Sequence, residues 1–245
     1  MQELHLLYKD LLIGVTRFFR DTDAYRALRS RIVPALIASR EAGDELRVWA
    51  SACATGEEAY SLAILLNEAI ETSHRRIDFK IFATDVHQSL LETAAAGVFS
   101  EPGIEGVERG DLDKYFTRVE GGFRVTPQLR ERIVFAPHNL LKDAPFTRLD
   151  LISCRIMLIY LNPAAQKKVL SLFHFGLKPR GLLFLGLSET PGELSEEFET
   201  LDPRAKIFRK SRDVRLPAEP HLGANLARRT PVVWRGRQPE KSQAQ

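Results

Sequence analysis

The chain has 245 residues, 44% hydrophobic and 27% charged, which suffices for one large α/β domain or two modest ones around a sizeable core. No stretch approaches the roughly 20 apolar residues of a membrane helix, and Met1 is followed by Gln-Glu-Leu-His rather than a basic patch and apolar block; the expected setting is cytoplasmic, without membrane insertion. The formal charge of +3 belongs to the tail: residues 211–245 hold 7 Lys/Arg against 3 Asp/Glu, leaving 28 against 29 in residues 1–210, a net −1 with no obvious basic face for nucleic acid.

Helical patterns come first, around Leu4–Ile13 and Asp23–Ser39, the second bent at Pro34, so residues 1–40 read as an N-terminal helical segment. Short runs rich in β-branched or aromatic residues follow at Leu46–Ser51, Phe79–Thr84, Ile133–Pro137, Leu149–Cys154 and Leu182–Leu187, most of them separated by amphipathic helices. This alternation predicts an α/β domain over residues 41–210, a parallel sheet with helices on both faces. The stretch 97–132 breaks the alternation, and the glycine pair in EGGFRVT predicts a hairpin at Gly121–Gly122 in a small inserted subdomain. Residues 211–245 carry Pro217, Pro220, Pro231 and Pro239 without apolar periodicity and read as linker or disordered tail; a basic docking arm centred on Arg228 and Arg229 is the alternative.

In an open parallel sheet, ligands bind beyond the carboxyl ends of the strands where strand order reverses, so the residues just after each strand carry the chemistry. After the first strand comes SACATGEE, Ser51–Glu58, in which Ala54, Thr55 and Gly56 let a ligand approach the backbone. Glu57 and Glu58 would repel a phosphate and favour a cationic ligand; the structural alternative is that they only complement a helix dipole. The second strand ends in FATDV, with Asp85 placed to accept the hydroxyls of a ribose or, alternatively, to cap the next helix. The joint pattern fits S-adenosylmethionine, which has a ribose, an ammonium and a sulfonium but no phosphate. Cys53 and Cys154 are too few for a disulfide framework or a cysteine zinc site; they read as small buried side chains ending neighbouring strands, and no metal is expected. His138 reads as a loop histidine satisfied by backbone.

TRFFRD at Thr16–Asp21, ACATGEEAYS at Ala52–Ser61, FATDV at Phe82–Val86, NLL at Asn139–Leu141, CRIMLIYL at Cys154–Leu161 and LKPRGLLFLGLSE at Leu177–Glu189 stand in an order that closely resembles the CheR-type chemotaxis protein-glutamate O-methyltransferases. The phrases FAPHNLLKDAPF and SEEFETLDPRAKIFRK are most similar to the methyltransferase segment of proteins that fuse it to methylesterase and sensory domains. The resemblance implies a class I, Rossmann-like methyltransferase sheet. It also implies methyl transfer from S-adenosylmethionine to glutamate side chains on the cytoplasmic helices of chemoreceptors, giving methyl esters and S-adenosylhomocysteine. By the same resemblance Thr16, Arg20, Glu57, Asp85, Asn139, Leu140, Cys154 and Arg155 line the cofactor pocket, and Arg20 and Tyr160 lie nearest the transferred methyl.

Two features depart from the family pattern. Where the family usually reads Cys-Arg-Asn this chain has Cys154-Arg155-Ile156, and only about fifteen residues precede TRFFRD where members generally carry a longer helical domain. The rival reading is a non-catalytic methyltransferase-like module that binds S-adenosylmethionine, S-adenosylhomocysteine or a signalling partner. Methylation of a small carboxylic acid or of nucleic acid is a third.

Overall fold

The computed structural model describes residues 16–212. The expected helix at Leu4–Ile13, and the tail from residue 213 with Arg228 and Arg229, lie outside the described residues. The first described helix is irregular where the sequence predicts it: α1 (Thr22–Ala27) passes through a π-helical turn, Leu28–Ile32, into α2 (Val33–Ala38). Pro34 has no N–H to donate one turn back and its ring crowds that carbonyl, so the preceding turn widens.

The chain then alternates through β1 (Glu45–Ser51), α3 (Glu57–Ser73), β2 (Asp78–Asp85) and α4 (Gln88–Ala96). An excursion follows, with β3 (Val98–Phe99), α5 (Arg109–Tyr115), β4 (Phe116–Val119), β5 (Gly122–Val125) and α6 (Pro127–Arg130). The main chain of strands resumes with β6 (Ile133–Pro137), β7 (Leu149–Cys154), α7 (Pro163–Gly176), β8 (Leu177–Leu185), β9 (Phe198–Asp202) and β10 (Ile207–Lys210). The seven-stranded sheet has the order β6-β2-β1-β7-β8-β10-β9. Strands β6, β2, β1, β7 and β8 pair in parallel, while β10 runs antiparallel to both β8 and β9. From β1 the chain builds outward to β2 and β6, then returns to lay β7 on β1's other side. The order therefore reverses between β1 and β7, which sets the ligand crevice at their carboxyl ends.

Two expectations are corrected. The fifth strand is Leu177–Leu185 rather than Leu182–Leu187, because the chain leaves the ladder at Gly186, whose N–H turns to Glu189. The sequence carries no clear signal for the hairpin β9–β10: its strands are short and mix charged with apolar residues without alternation, with Glu199 paired to Arg209 at 2.6 Å across the edge. The inserted hairpin is present, with Val119 opposite Gly122, so its two-residue loop is Glu120-Gly121 rather than Gly121-Gly122. Gly122 serves packing instead: a Cβ there would lie 2.1 Å from the Phe99 carbonyl oxygen. The three-stranded sheet β3-β5-β4 rests on Phe18, whose ring meets Phe99 at 4.9 Å and Phe116 at 5.5 Å edge-on.

At the amino end of the main sheet, fully buried Asp150 on β7 receives the Arg47 backbone N–H of β1 at 2.8 Å, Arg40 at 2.9 Å and Lys178 of β8 at 2.8 Å. One carboxylate thus clamps three adjacent strands in register. Its cationic partners are partly exposed and can rehydrate, so Asp150→Ala is expected to cost about 2–3 kcal/mol, the worth of the lost charged hydrogen bonds, in urea unfolding. A loss no larger than that of an exposed surface substitution would remove the clamp from the account of the sheet.

Candidate functional site

The site grows from the turn after β1. Ala52 and Ala54 take left-handed backbone angles, φ 54° and 46°, and Gly56 φ 95°. Small side chains tolerate this, and a Cβ on Gly56 would meet the Ala94 Cβ of α4 at 2.9 Å. The turn is moored to β2: Cys53 N–H donates to the Thr84 carbonyl at 2.9 Å, and Ala54 N–H to Asp85 Oδ2 at 3.0 Å. Asp85 Oδ1 receives the His87 N–H at 3.0 Å and lies 3.0 Å from His87 Nδ1. Asp85 is not the helix cap, since the N-cap position of α4 is His87. A carboxylate has about four acceptor sites, so Asp85 retains capacity for a ligand donor.

The crevice at this rim is open to solvent, with a cavity volume of about 80 Å³, and is lined by Thr16, Arg20, the Ala52–Ala54 turn, Glu58, Asp85 and Arg155, with His87, Leu90, Ile156, Met157 and Tyr160 closing its sides. A larger hollow of about 540 Å³ opens at the opposite, amino end of the strands. There Arg40 and Lys178 are already committed to Asp150, so the hollow is chiefly the mouth of a structural clamp.

Of the paired acids, the structure turns Glu58 to the crevice. Glu57, 7% exposed, instead accepts the Thr55 hydroxyl at 2.7 Å beside the helix start. Glu58 Oε1 accepts the Ser153 hydroxyl at 2.6 Å, and its Oε2 lies 4.0 Å from Arg155. Successive helical residues point about 100° apart, so the two side chains cannot share one wall. Burial pushes both carboxyls above the usual range; for Glu58 it outweighs the opposing pull of Arg155 and Ser153.

Arg155, its side chain 1% exposed, donates to Asp21 at 2.5 Å and to the Arg20 carbonyl at 3.0 Å. Its guanidinium lies 4.6 Å from the Phe184 ring centre and 5.3 Å from that of Tyr25. These contacts, with the Phe19 N–H donated to Ser61 at 3.0 Å, fold the Thr16–Asp21 segment over the crevice and present Thr16 and Arg20 to it. Tyr160 ends a short 3₁₀ turn, Leu158–Tyr160, 46% exposed at the rim.

Besides Glu57, three expected pocket residues are not brought to the wall. Cys154 is fully buried opposite Ser51 in the β1–β7 ladder, so Cys53 sits two residues beyond its strand end; both cysteines are free thiols, pushed well up by burial. Asn139 and Leu140 lie in the turn after β6, where Asn139 Oδ1 accepts the Leu141 N–H at 2.9 Å and Leu140 is 9% exposed. His138 in the same turn pairs through Nε2 with the Ala144 carbonyl at 2.9 Å. The sequence missed Ser153 and Glu189. Glu189 closes the phrase LKPRGLLFLGLSE, but the wording does not reveal its role, because the crevice-wall partners of Ser153 and Glu189 lie 95 and 31 or more residues away.

Ile156 occupies the left-handed region at φ 63°, where a β-branched side chain is a true outlier costing roughly 1–2 kcal/mol. Chemically, the wall sets two carboxylates and two guanidiniums around small residues, with no lysine and no glycine-rich phosphate loop. That donor set suits a zwitterion with an added positive centre and vicinal hydroxyls. Among the described residues no group of three or more His, Cys, Asp or Glu is placed to hold a metal ion, and no helix is long and apolar enough to cross a membrane.

Residues 14–207 match the family described as CheR methyltransferase, SAM binding domain. An uncharacterized 104.1 kDa protein of Rhodobacter capsulatus is 41% identical over 97% of this chain; the match spans only 25% of that protein's length. A putative methyltransferase, Cher3, of Pseudomonas putida is 37% identical over 84% of this chain and 76% of its own. Chemotaxis protein methyltransferase 2 of Vibrio cholerae is 31% identical over 86% of this chain and 72% of its own.

An acid whose pKa is raised by folding binds its proton more tightly in the native state, so its ionisation costs stability. The penalty is absent below the unfolded value, grows as pH rises toward the folded one, and is full above it. Glu58→Gln removes the ionisation and keeps an acceptor for Ser153. The variant without ligand is therefore expected to melt higher than the unmutated protein at pH 8, with the gap closing toward pH 4. An offset independent of pH would assign the change to packing.

Proposed function

The chain belongs to the CheR methyltransferase family, and from that membership we propose that it transfers a methyl group from S-adenosylmethionine to glutamate carboxylates on chemoreceptor cytoplasmic helices, leaving S-adenosylhomocysteine. The observation that carries this reading is the placement of Glu58 and Asp85 on one crevice at the strand-order reversal, with Arg20 and Tyr160 at its mouth. The residues fit the cofactor: Glu58, held costly and ionisable by burial, faces its cationic end, and Asp85 keeps acceptor sites for ribose hydroxyls. When bound, S-adenosylmethionine supplies a sulfonium-activated methyl group. Glu57, assigned to this role by resemblance, supports the turn from behind through Thr55. Asn139 and Leu140 back the Asp85 side, where the His138 N–H donates to the Asp85 carbonyl at 3.0 Å, and Cys154 fills the sheet beneath Arg155.

A glutamate side chain has a pKa of about 4.3 and is already an anion at neutral pH, so no general base is needed. The protein's work is alignment, which can supply roughly 7–11 kcal/mol. Arg20 orients the incoming carboxylate, and Tyr160 offers its hydroxyl at the rim. Methylesterase and sensory domains, as fused or associated partners, belong to the same proposal, as does a cytoplasmic setting. One observation favours the rival, inert module: Ile156 puts an aliphatic side chain without hydrogen-bonding capacity on the wall.

Incubation with radiolabelled S-adenosylmethionine and receptor cytoplasmic fragments is expected to give base-labile label on the receptor. Binding of S-adenosylhomocysteine without label would favour the inert module. Arg20→Ala is expected to lower turnover about 100-fold, the scale of an ångström-level misplacement, with a much smaller loss of S-adenosylhomocysteine affinity. Equal losses in both would reduce Arg20 to a cofactor ligand.

A further inference from the structure

We propose that Glu189 is the positioning residue of this crevice: one buried carboxylate that holds the wall from Ile156 to Tyr160 in its ligand-binding shape. The inference rests on the cofactor reading above. Glu189 is 3% exposed. Its Oε2 accepts the N–H groups of Ile156 at 3.0 Å and Gly186 at 2.7 Å, and its Oε1 accepts that of Leu158 at 2.7 Å. Its own N–H donates to the Gly186 carbonyl at 2.9 Å, so the segment after β8 closes on itself while gripping the segment after β7. Buried N–H groups need acceptors, and an ionised carboxylate is a stronger acceptor than a neutral one.

The grip falls where the backbone most needs it. Ile156, Met157 and Tyr160 line the crevice, and Ile156 is held at φ 63°, a conformation its branched side chain resists. Relaxing Ile156 to an extended conformation would redirect the chain on both sides, carrying Arg155 and Met157 with it. Gly186 leaves the space the carboxylate fills: a Cβ there would stand 2.7 Å from Glu189 Oε2 and 3.0 Å from the Ile156 nitrogen. Glu189 does not itself line the crevice; it acts through the N–H groups of Ile156 and Leu158. Its charge also reaches Glu58, adding to the burial that raises that carboxyl's pKa.

The test is a coupling measurement with S-adenosylhomocysteine as probe, read by calorimetry. Glu189→Gln keeps the size of the side chain but points an amide donor at one set of N–H groups. It is expected to stay folded and to weaken binding at least tenfold. Asn tolerates the left-handed region, so in an Ile156→Asn background the same Glu189→Gln change is expected to cost less than threefold. A purely structural glutamate would lower stability without this dependence on residue 156. Equal losses in the two backgrounds, or unchanged affinity in Glu189→Gln, overturn the inference while leaving the cofactor reading intact. Failure of the unmutated protein to bind the probe overturns that reading and the inference with it. Should Glu189→Gln not fold, Gly186→Ala, which displaces the carboxylate without removing it, is expected to show the same relief by Ile156→Asn, and its absence counts against the proposal.

Discussion

A guanidinium stays charged even when buried to 1% exposure, so its charge has to be compensated, and around Arg155 that requirement organises the molecule. Asp21 and the Arg20 carbonyl come from the segment ahead of α1, Glu58 from α3, Tyr25 from α1, and Phe184 from β8. Burial alone would lower the guanidinium's pKa, but the charges of Glu58 and Asp21 together with the Tyr25 phenol hold it above the usual value. Meeting these demands brings four stretches of chain to the carboxyl end of β7, and the crevice is the space they leave. The compensation is uneven. Glu58 is shared between Ser153 and a guanidinium 4.0 Å away, so a carboxylate remains facing the crevice whose charge the protein alone does not fully satisfy.

Backbone strain gathers at the same rim. Nine described residues other than glycine have positive φ, and five of them, Phe19, Asp21, Ala52, Ala54 and Ile156, belong to the segments that wall the crevice. Four of the five are held by specific bonds: Phe19 by Ser61, Asp21 by Arg155, Ala54 by Asp85, Ile156 by Glu189. Conformations of this kind persist only where the surroundings over-determine them, and they concentrate at sites that must be shaped before a ligand arrives. The stable half of the molecule lies at the other end, where Asp150 clamps β1, β7 and β8, and where Lys210, 2% exposed, closes α7 by donating to the His174 and Leu177 carbonyls at 2.8 and 2.9 Å.

The parts of this design that were legible beforehand are local. Runs such as Phe79–Thr84 and Leu149–Cys154 announce buried parallel strands by composition, Pro34 announces an irregular helix, and EGGFRVT announces a hairpin within one residue of its turn. The positions of Asp85 at the end of its strand and of the acidic turn after β1 were legible for the same reason: place relative to a strand end is a property of neighbouring residues. The β9–β10 hairpin was not, because edge strands this short and charged gain their identity from the strand they lie against.

Sequence by itself determined the α/β class, the inserted hairpin, and which residues stand at the carboxyl ends of the strands, the paired acids after β1 among them. Only the tertiary structure decided that Glu58 rather than Glu57 faces the crevice, that Cys154, Asn139 and Leu140 stand behind its wall, and that Glu189 grips Ile156 from 33 residues away. The physical reason is range. Periodicity and turn chemistry are set by residues a few positions apart, whereas the side of a helix that meets a pocket and the acceptor that satisfies a buried N–H are set by whichever distant segments the sheet order brings alongside.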